Sequence, residues 1–116
     1  MAPPTGAFVV ARRDDGTGGR AVGCGGLIVR RHSDGSVFAE IKRMWVDEAL
    51  RGRGVGYRIL DALEVRARDL GQRRVRLDSH RALAEAHTLY RRCGDAEISR
   101  YNDNPYADFW FEKRLG

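Results

Sequence analysis

The stretch "RGRGVG", Arg51–Gly56, alternates three glycines between an apolar strand-like run and a long helical pattern. Glycine costs about 1 kcal/mol against alanine inside a helix, so three of them at a helix start need another reason. Glycines let successive backbone N–H groups converge on an anion without interference from Cβ atoms. The unpaired N–H groups of the helix's first turn, and its dipole, add partial positive charge. The pattern therefore reads as a phosphate site. It is not a P-loop, which needs GxxxxGK[ST]; neither Lys nor Ser/Thr follows Gly56. The dinucleotide fingerprint GxGxxG fails at Tyr57, although Asp78 stands where a ribose-binding acid could sit. Other chemistry-bearing residues carry less. His80 and His87 have no evident sequence partner and read as lone surface histidines. Cys24 and Cys93 form no CxxC pair, suggest neither metal nor disulfide, and read as small buried residues rather than nucleophiles.

With 116 residues the chain has room for one domain with one core, spanning 1–116. No apolar run is long enough to span a bilayer. The opening "MAPPTGAF" has neither a basic nor an apolar signal region, so a cytoplasmic chain is expected. The net charge of +5 invites a nucleic-acid reading, yet of 21 basic residues only Lys42 and Lys113 are lysine. The arginines are scattered among acids such as Asp61, Glu64, Asp69 and Glu85. That distribution looks like genome composition rather than a binding stripe, and it favours a small anionic ligand over nucleic acid.

The elements that must hold the glycine loop follow from periodicity. Ala7–Arg13, Arg20–Arg31 and Ser36–Asp47 read as three strands of an antiparallel meander, with turns at Asp14–Gly19 and His32–Gly35. Gly23, Gly25 and Gly26 suggest a bulge or a close backbone approach. Strict alternation places Phe38, Glu40, Lys42, Met44 and Val46 on one face. Val55, Ile59, Leu60, Leu63, Ala67 and Leu70 then recur at helical spacing up to Gly71. Arg73–Ser79 is a short strand, with Val75 and Leu77 inward. Arg81–Cys93 is a second helix ended by Gly94, and Asp95–Tyr101 and Ala107–Leu115 are closing strands joined by "NDNPY".

The spacing Arg-x-x-Gly-x-Gly, at Arg51, Gly54 and Gly56, resembles the pyrophosphate loop of the GNAT-type N-acetyltransferase superfamily. The resemblance covers nearly the whole chain. "FAEIKRMWV" is similar to the family's fourth strand, "RGRGVGYRILDALEVRARDLG" to its loop and third helix, and "RRVRLDS" to its fifth strand. "AEAHTLYRRCG" resembles the family's A–x–x–L–Y–x–x–x–G helix, and "RYNDNPYADFWFEKRL" a closing hairpin. The implied fold is an α/β (α+β) mixed sheet, with an antiparallel N-terminal meander and two parallel central strands splayed around a coenzyme. Two main helices and a C-terminal hairpin complete it.

The implied activity is direct transfer of acetyl from acetyl-coenzyme A to an amine, without a metal. Backbone groups of Met44, Trp45 and Val46 would pair with the pantetheine amides. Amides of Arg51, Gly52, Arg53, Gly54, Val55 and Gly56 would hold the pyrophosphate, with the Arg51 and Arg53 side chains either adding charge or solvated. Glu40 matches a position where some members carry a general base; it also reads as an ion pair with Lys42 on the same strand face. Tyr90 matches the tyrosine beside the coenzyme sulfur, where its hydroxyl can donate; it also reads as core packing. Three departures stand out. Leu83 replaces a common Asn, Asp95 replaces a core aromatic, and the chain starts near the family's second strand, without the wall of its acceptor pocket. Two functions stay open: an active N-acetyltransferase on a small-molecule or peptide amine, or a degenerate module that binds acetyl-coenzyme A without efficient transfer. The uncovered face, or the aromatics Tyr101, Tyr106, Phe109, Trp110 and Phe111, suggest a homodimer, with "NDNPY" near the acceptor opening.

Overall fold

In the computed structural model, which describes residues 6–13, 19–32, 34–50, 53–80 and 84–116, six strands form one sheet with two helices packed on it. β1 (Gly6–Arg13), β2 (Arg20–Arg31) and β3 (Val37–Val46) make the expected antiparallel meander. α1 (Val55–Asp69) crosses to β4 (Arg74–Ser79), which runs parallel to β3. α2 (Ala84–Arg92) leads to β5 (Ala96–Ile98) and β6 (Phe109–Arg114), which pair antiparallel, and β6 also lies against β4. The sheet order is β1-β2-β3-β4-β6-β5.

The helical spacing has its expected consequence. Ile59, Leu60, Leu63 and Ala67 are buried along one side of α1, against Leu27, Ala39, Ile41, Val75 and Leu77 of the sheet. The β2 glycines serve close approach: a Cβ on Gly23 would meet Ile59 Cδ1 at 2.7 Å, and one on Gly25 would meet Leu63 Cδ1 at 2.8 Å. Both helices stop by the same device. Gly71 has φ +77° while the Gln72 N–H donates to the Ala67 carbonyl; Gly94 has φ +94° while the Asp95 N–H donates to the Tyr90 carbonyl.

Strict alternation along β3 does not hold. Arg43 and Met44 together face Gly25 of β2, between the pairs Cys24↔Trp45 and Gly26↔Lys42, and Arg43 takes a φ of +55°. This bulge moves the later residues to the other face. Met44 and Val46 join Ala39 and Ile41 under the helices, whereas Phe38, Glu40 and Lys42 line the cleft on the opposite side. β5 is also shorter than expected, because the chain leaves β6 after Ile98 to carry Tyr101 and Asn102 to Glu40. Of the hairpin aromatics, Phe111 is fully buried and Tyr101, Phe109 and Trp110 are half-buried, leaving Tyr106 outside. Cys24 and Cys93 are half-buried rather than buried. The expected turn at residues 14–18 lies outside the described residues.

Asp95 sits half-buried where the resemblance implies an aromatic. Burial raises its carboxyl to about 6; Lys113 opposes that shift and Glu64 adds to it. A folded pKa above the unfolded 3.8 means that the folded state holds the extra proton, so stability is highest below that value and falls as pH rises through about 6. Asp95→Asn is expected to gain about 1–2 kcal/mol at pH 7.5 and almost nothing at pH 4. Urea unfolding of both proteins at the two pH values measures it; an equal difference at both would exclude this cause.

Candidate active site

β3 and β4 pair through Ala39↔Val75 and Glu40↔Arg76, and their ladder contains no further pair. β3 runs on to Val46 and β4 to Ser79, so beyond these pairs the two strands part. From Ile41 to Val46, the edge of β3 that turns towards β4 has no strand partner among the described residues. Its N–H and C=O groups are free to pair with an extended ligand as a strand would.

The start of α1 lies at this opening. A Cβ on Gly56 would meet Leu89 Cδ2 of α2 at 2.8 Å, Val46 Cγ2 at 3.7 Å and Met44 Cε at 3.8 Å, so β3, α1 and α2 converge there. Gly54 caps α1 with φ +80°, and no side chain caps the helix among the described residues. The Arg58 N–H is the first to reach back, to the Gly54 carbonyl. The Arg53 N–H donates to the Leu50 carbonyl. The N–H groups of the first turn have no acceptor among the described residues, and that turn carries no acidic residue. Those features fit a bound pyrophosphate. Gly56 is thus brought beside Met44 and Val46, with Arg53, Gly54 and Val55 immediately before it in the chain. Arg51, Gly52 and Leu83 lie outside the described residues. Trp45 keeps its backbone on the same edge, while its side chain is half-exposed.

α2 supplies Tyr90, 6% exposed, its ring centroid 5.6 Å from that of Phe111. Burial, helped by Asp95, pushes its phenol up to about 12, so it remains a proton donor across the working pH range. One turn earlier, His87 is buried and its Nε2 lies 2.9 Å from Ser79 Oγ at the end of β4, among the rings of Phe109 and Phe111. Desolvation first, then Arg91, lowers its pKa and favours the neutral ring. His87 is therefore not the surface histidine its sequence context suggested. His80 is not a lone residue either, since its Nε2 lies 3.7 Å from Asp108 Oδ2.

On the opposite sheet face Glu40 is 3% exposed and heavily engaged. Its carboxylate accepts from Arg30 Nε at 3.0 Å and from the Tyr101 hydroxyl at 2.7 Å, and Lys42 Nζ stands 3.4 Å away. Lys42 also bridges the opening to Asp78 Oδ2 on β4 at 3.1 Å. Asp78 accepts from Asn102 Nδ2 at 2.6 Å and Asn104 Nδ2 at 3.1 Å, and Asn102 Oδ1 accepts from the Trp110 indole. Burial and the Glu40 hydrogen bond together drive the Tyr101 phenol far above its usual range. An open cleft of about 380 Å³ lies over this network, lined among others by Glu40, Lys42, Tyr101, Asn102 and Asn104.

Sequence reasoning missed Asp78 as a partner of Lys42, Tyr101 as a donor to Glu40, and the Ser79–His87 pair. The asparagines of "NDNPY" were a signal for the first, since buried carboxylates need donors. No spacing pattern joins Tyr101 to Glu40, which lie on different elements. Among the described residues no group of His, Cys, Asp and Glu could hold a metal ion, and no helix is long and apolar enough to cross a membrane.

A mixed sheet whose parallel strands part at a helix N-terminus is the architecture of an acyl-coenzyme A transferase, and comparison with known proteins agrees. The model of the acetyltransferase (GNAT) family matches residues 1–95. An IAA acetyltransferase of Azospirillum brasilense is 35% identical over 118 aligned positions, covering 99% of this chain and 72% of the relative. A Klebsiella pneumoniae structure assigned as an acyl-CoA N-acyltransferase superposes with a TM-score of 0.80 at 30% identity, covering 100% of this chain and 77% of that one. PaiA N-acetyltransferase of Thermoplasma acidophilum, solved in complex with coenzyme A, shares the fold with a TM-score of 0.74 at 21% identity, over 96% of this chain and 62% of its own. The chain belongs to the GNAT family of acetyltransferases and is an acyltransferase enzyme.

Proposed function

We propose that this chain, as a single domain over residues 1–116, transfers acetyl from acetyl-coenzyme A directly to a primary amine of a small molecule or peptide. The observation that carries the reading is the β3 edge, unpartnered among the described residues, opening onto first-turn N–H groups of α1 that have no acceptor there. Backbone groups of Met44, Trp45 and Val46 bind the pantetheine arm, and the amides of residues 51–56 bind the pyrophosphate, that of Arg53 by exchanging its bond to the Leu50 carbonyl. The coenzyme supplies a thioester carbonyl and a thiol leaving group. An alkyl ammonium, with a pKa of about 10.4, must lose a proton before it attacks. Glu40, the carboxylate set in the cleft floor, takes that proton through water. A backbone N–H of Trp45 or Val46 faces the developing oxyanion, and the Tyr90 hydroxyl donates to the departing sulfur.

One observation favours the weaker alternative, a module that binds acetyl-coenzyme A without efficient transfer. Glu40 is already held by Arg30, Lys42 and Tyr101, as in a structural ion pair.

Acetyl-coenzyme A at a hundredfold excess over Kd is expected to stabilise the protein by about 2.7 kcal/mol. Gly54→Ala, which strains a position at φ +80°, is expected to cost about 1 kcal/mol of stability and to remove most of that gain. Melting curves with and without the coenzyme test both, and an unchanged melting temperature in the parent protein overturns the reading.

Transfer to an amine panel separates the two functions, and two variants assign the roles. Tyr90→Phe is expected to lower kcat more than coenzyme affinity, because its hydrogen bond strengthens as charge grows on sulfur. Glu40→Gln is expected to depress activity most at low pH, where neutral amine is scarcest. Superimposable pH–rate profiles for Glu40→Gln and the parent would return Glu40 to a structural role.

The proposal extends to a homodimer. Phe8, Val10, Ile28 and Trp45 are exposed together on the sheet face opposite the helices, an apolar area of the kind that marks interfaces. Light scattering at micromolar concentration is expected to give twice the chain mass; the single-chain mass throughout would reject it.

A further inference from the structure

Lys42 stands where the parallel strands part. Its Nζ reaches Asp78 on β4 at 3.1 Å and Glu40 on its own strand at 3.4 Å, two residues beyond the last backbone pair, Glu40↔Arg76. Its side chain is 29% exposed and faces the open cleft. The chain's other lysine, Lys113, is paired with Glu64 of α1, under the helices.

We propose that Lys42 is an acetyl acceptor within its own chain, a self-acetylation site at the mouth of the opening. This rests on the reading that acetyl-coenzyme A lies between the splayed strands. An amine acceptor there must approach from the face away from the helices and must have a carboxylate within reach to take its proton. Lys42 meets both conditions without diffusing to the site. Its ammonium passes one proton to Glu40 or Asp78, and the nitrogen lone pair then attacks the thioester carbonyl carbon. The C–N bond forms and the C–S bond breaks. The nitrogen's second proton goes to the departing sulfur through water or Tyr90. The balance is one lysine ammonium and acetyl-coenzyme A giving N-acetyl-lysine, coenzyme A thiol and one released proton.

The surroundings tolerate the product. After the charge is lost, Glu40 still accepts from Arg30 at 3.0 Å and Tyr101 at 2.7 Å. Asp78 still accepts from Asn102 at 2.6 Å and Asn104 at 3.1 Å. Neither carboxylate is left without a donor, which is the condition that makes losing a buried partner severe.

The test uses the intact protein and acetyl-coenzyme A carrying a deuterated acetyl group, followed by digestion and mass analysis of the two lysine-bearing peptides. Label is expected at Lys42, more than about tenfold above Lys113, reflecting a held amine, and an excess of free coenzyme A is expected to suppress it. Lys42→Arg is expected to lose the label while keeping the coenzyme-dependent melting shift. Equal labelling of both lysines, or labelling that free coenzyme A does not suppress, is plain chemical acylation and overturns the proposal. An unlabelled Lys42 in a protein that shows the melting shift overturns it too, while leaving the acetyltransferase reading intact. A protein without that shift loses both.

Discussion

Two backbone pairs, Ala39↔Val75 and Glu40↔Arg76, join the halves of the sheet. The open edge of β3 and the cleft beside it depend on the ladder stopping there. A third pair would close the edge of β3 and leave no backbone for an extended ligand. Two features turn β3 aside. Its bulge at Arg43 forces a non-glycine residue to φ +55°, a conformation that persists when its surroundings over-determine it. The Cys24 thiol donates to the Arg43 carbonyl at 3.6 Å, and Met44 and Val46 are packed against the core on the far side. The bulge also lets one strand serve two faces, with apolar residues under the helices and Glu40 and Lys42 over the cleft.

The cleft network follows from burial. Glu40 and Asp78 are carboxylates largely removed from water, and such groups persist when donors surround them. Arg30, Lys42, Tyr101, Asn102 and Asn104 provide those donors. Three of the five come from the segment between β5 and β6. Its detour shortens β5 and draws Tyr101 over Phe38 and beside Arg76. The loop is therefore held by the carboxylates it hydrogen-bonds rather than by strand pairing.

On the helix side the constraint is space. Gly23, Gly25 and Gly56 each lie where a Cβ would collide with Ile59, Leu63 or Leu89. Their absent side chains let α1 settle on β2 and α2 approach the start of α1. The glycines of the loop thus do two different things. A Cβ on Gly54 would meet nothing within 4 Å among the described residues, and this glycine supplies a left-handed backbone for the cap, whereas Gly56 makes room for Leu89.

Local rules were enough for much of this molecule. Helix periodicity with glycine stops located α1 and α2, and turn residues with alternation located the strands. The glycine loop reads as an anion site from its cost in helix propensity, and Gly54 and Gly56 also serve the helix cap and the packing of α2. These features depend on neighbours in sequence, so sequence carries them. The face exchange at Arg43, the pairing of Ser79 with His87, and the meeting of Glu40 with Tyr101 and of Lys42 with Asp78 were not available from it. A bulge is set by the partner strand and the core beneath it. A buried carboxylate takes its donors from whichever elements the fold brings near, and those lie up to 62 residues away in the chain. Distance in sequence is free to vary there, because the desolvated charge asks for a donor in space and not for one in register.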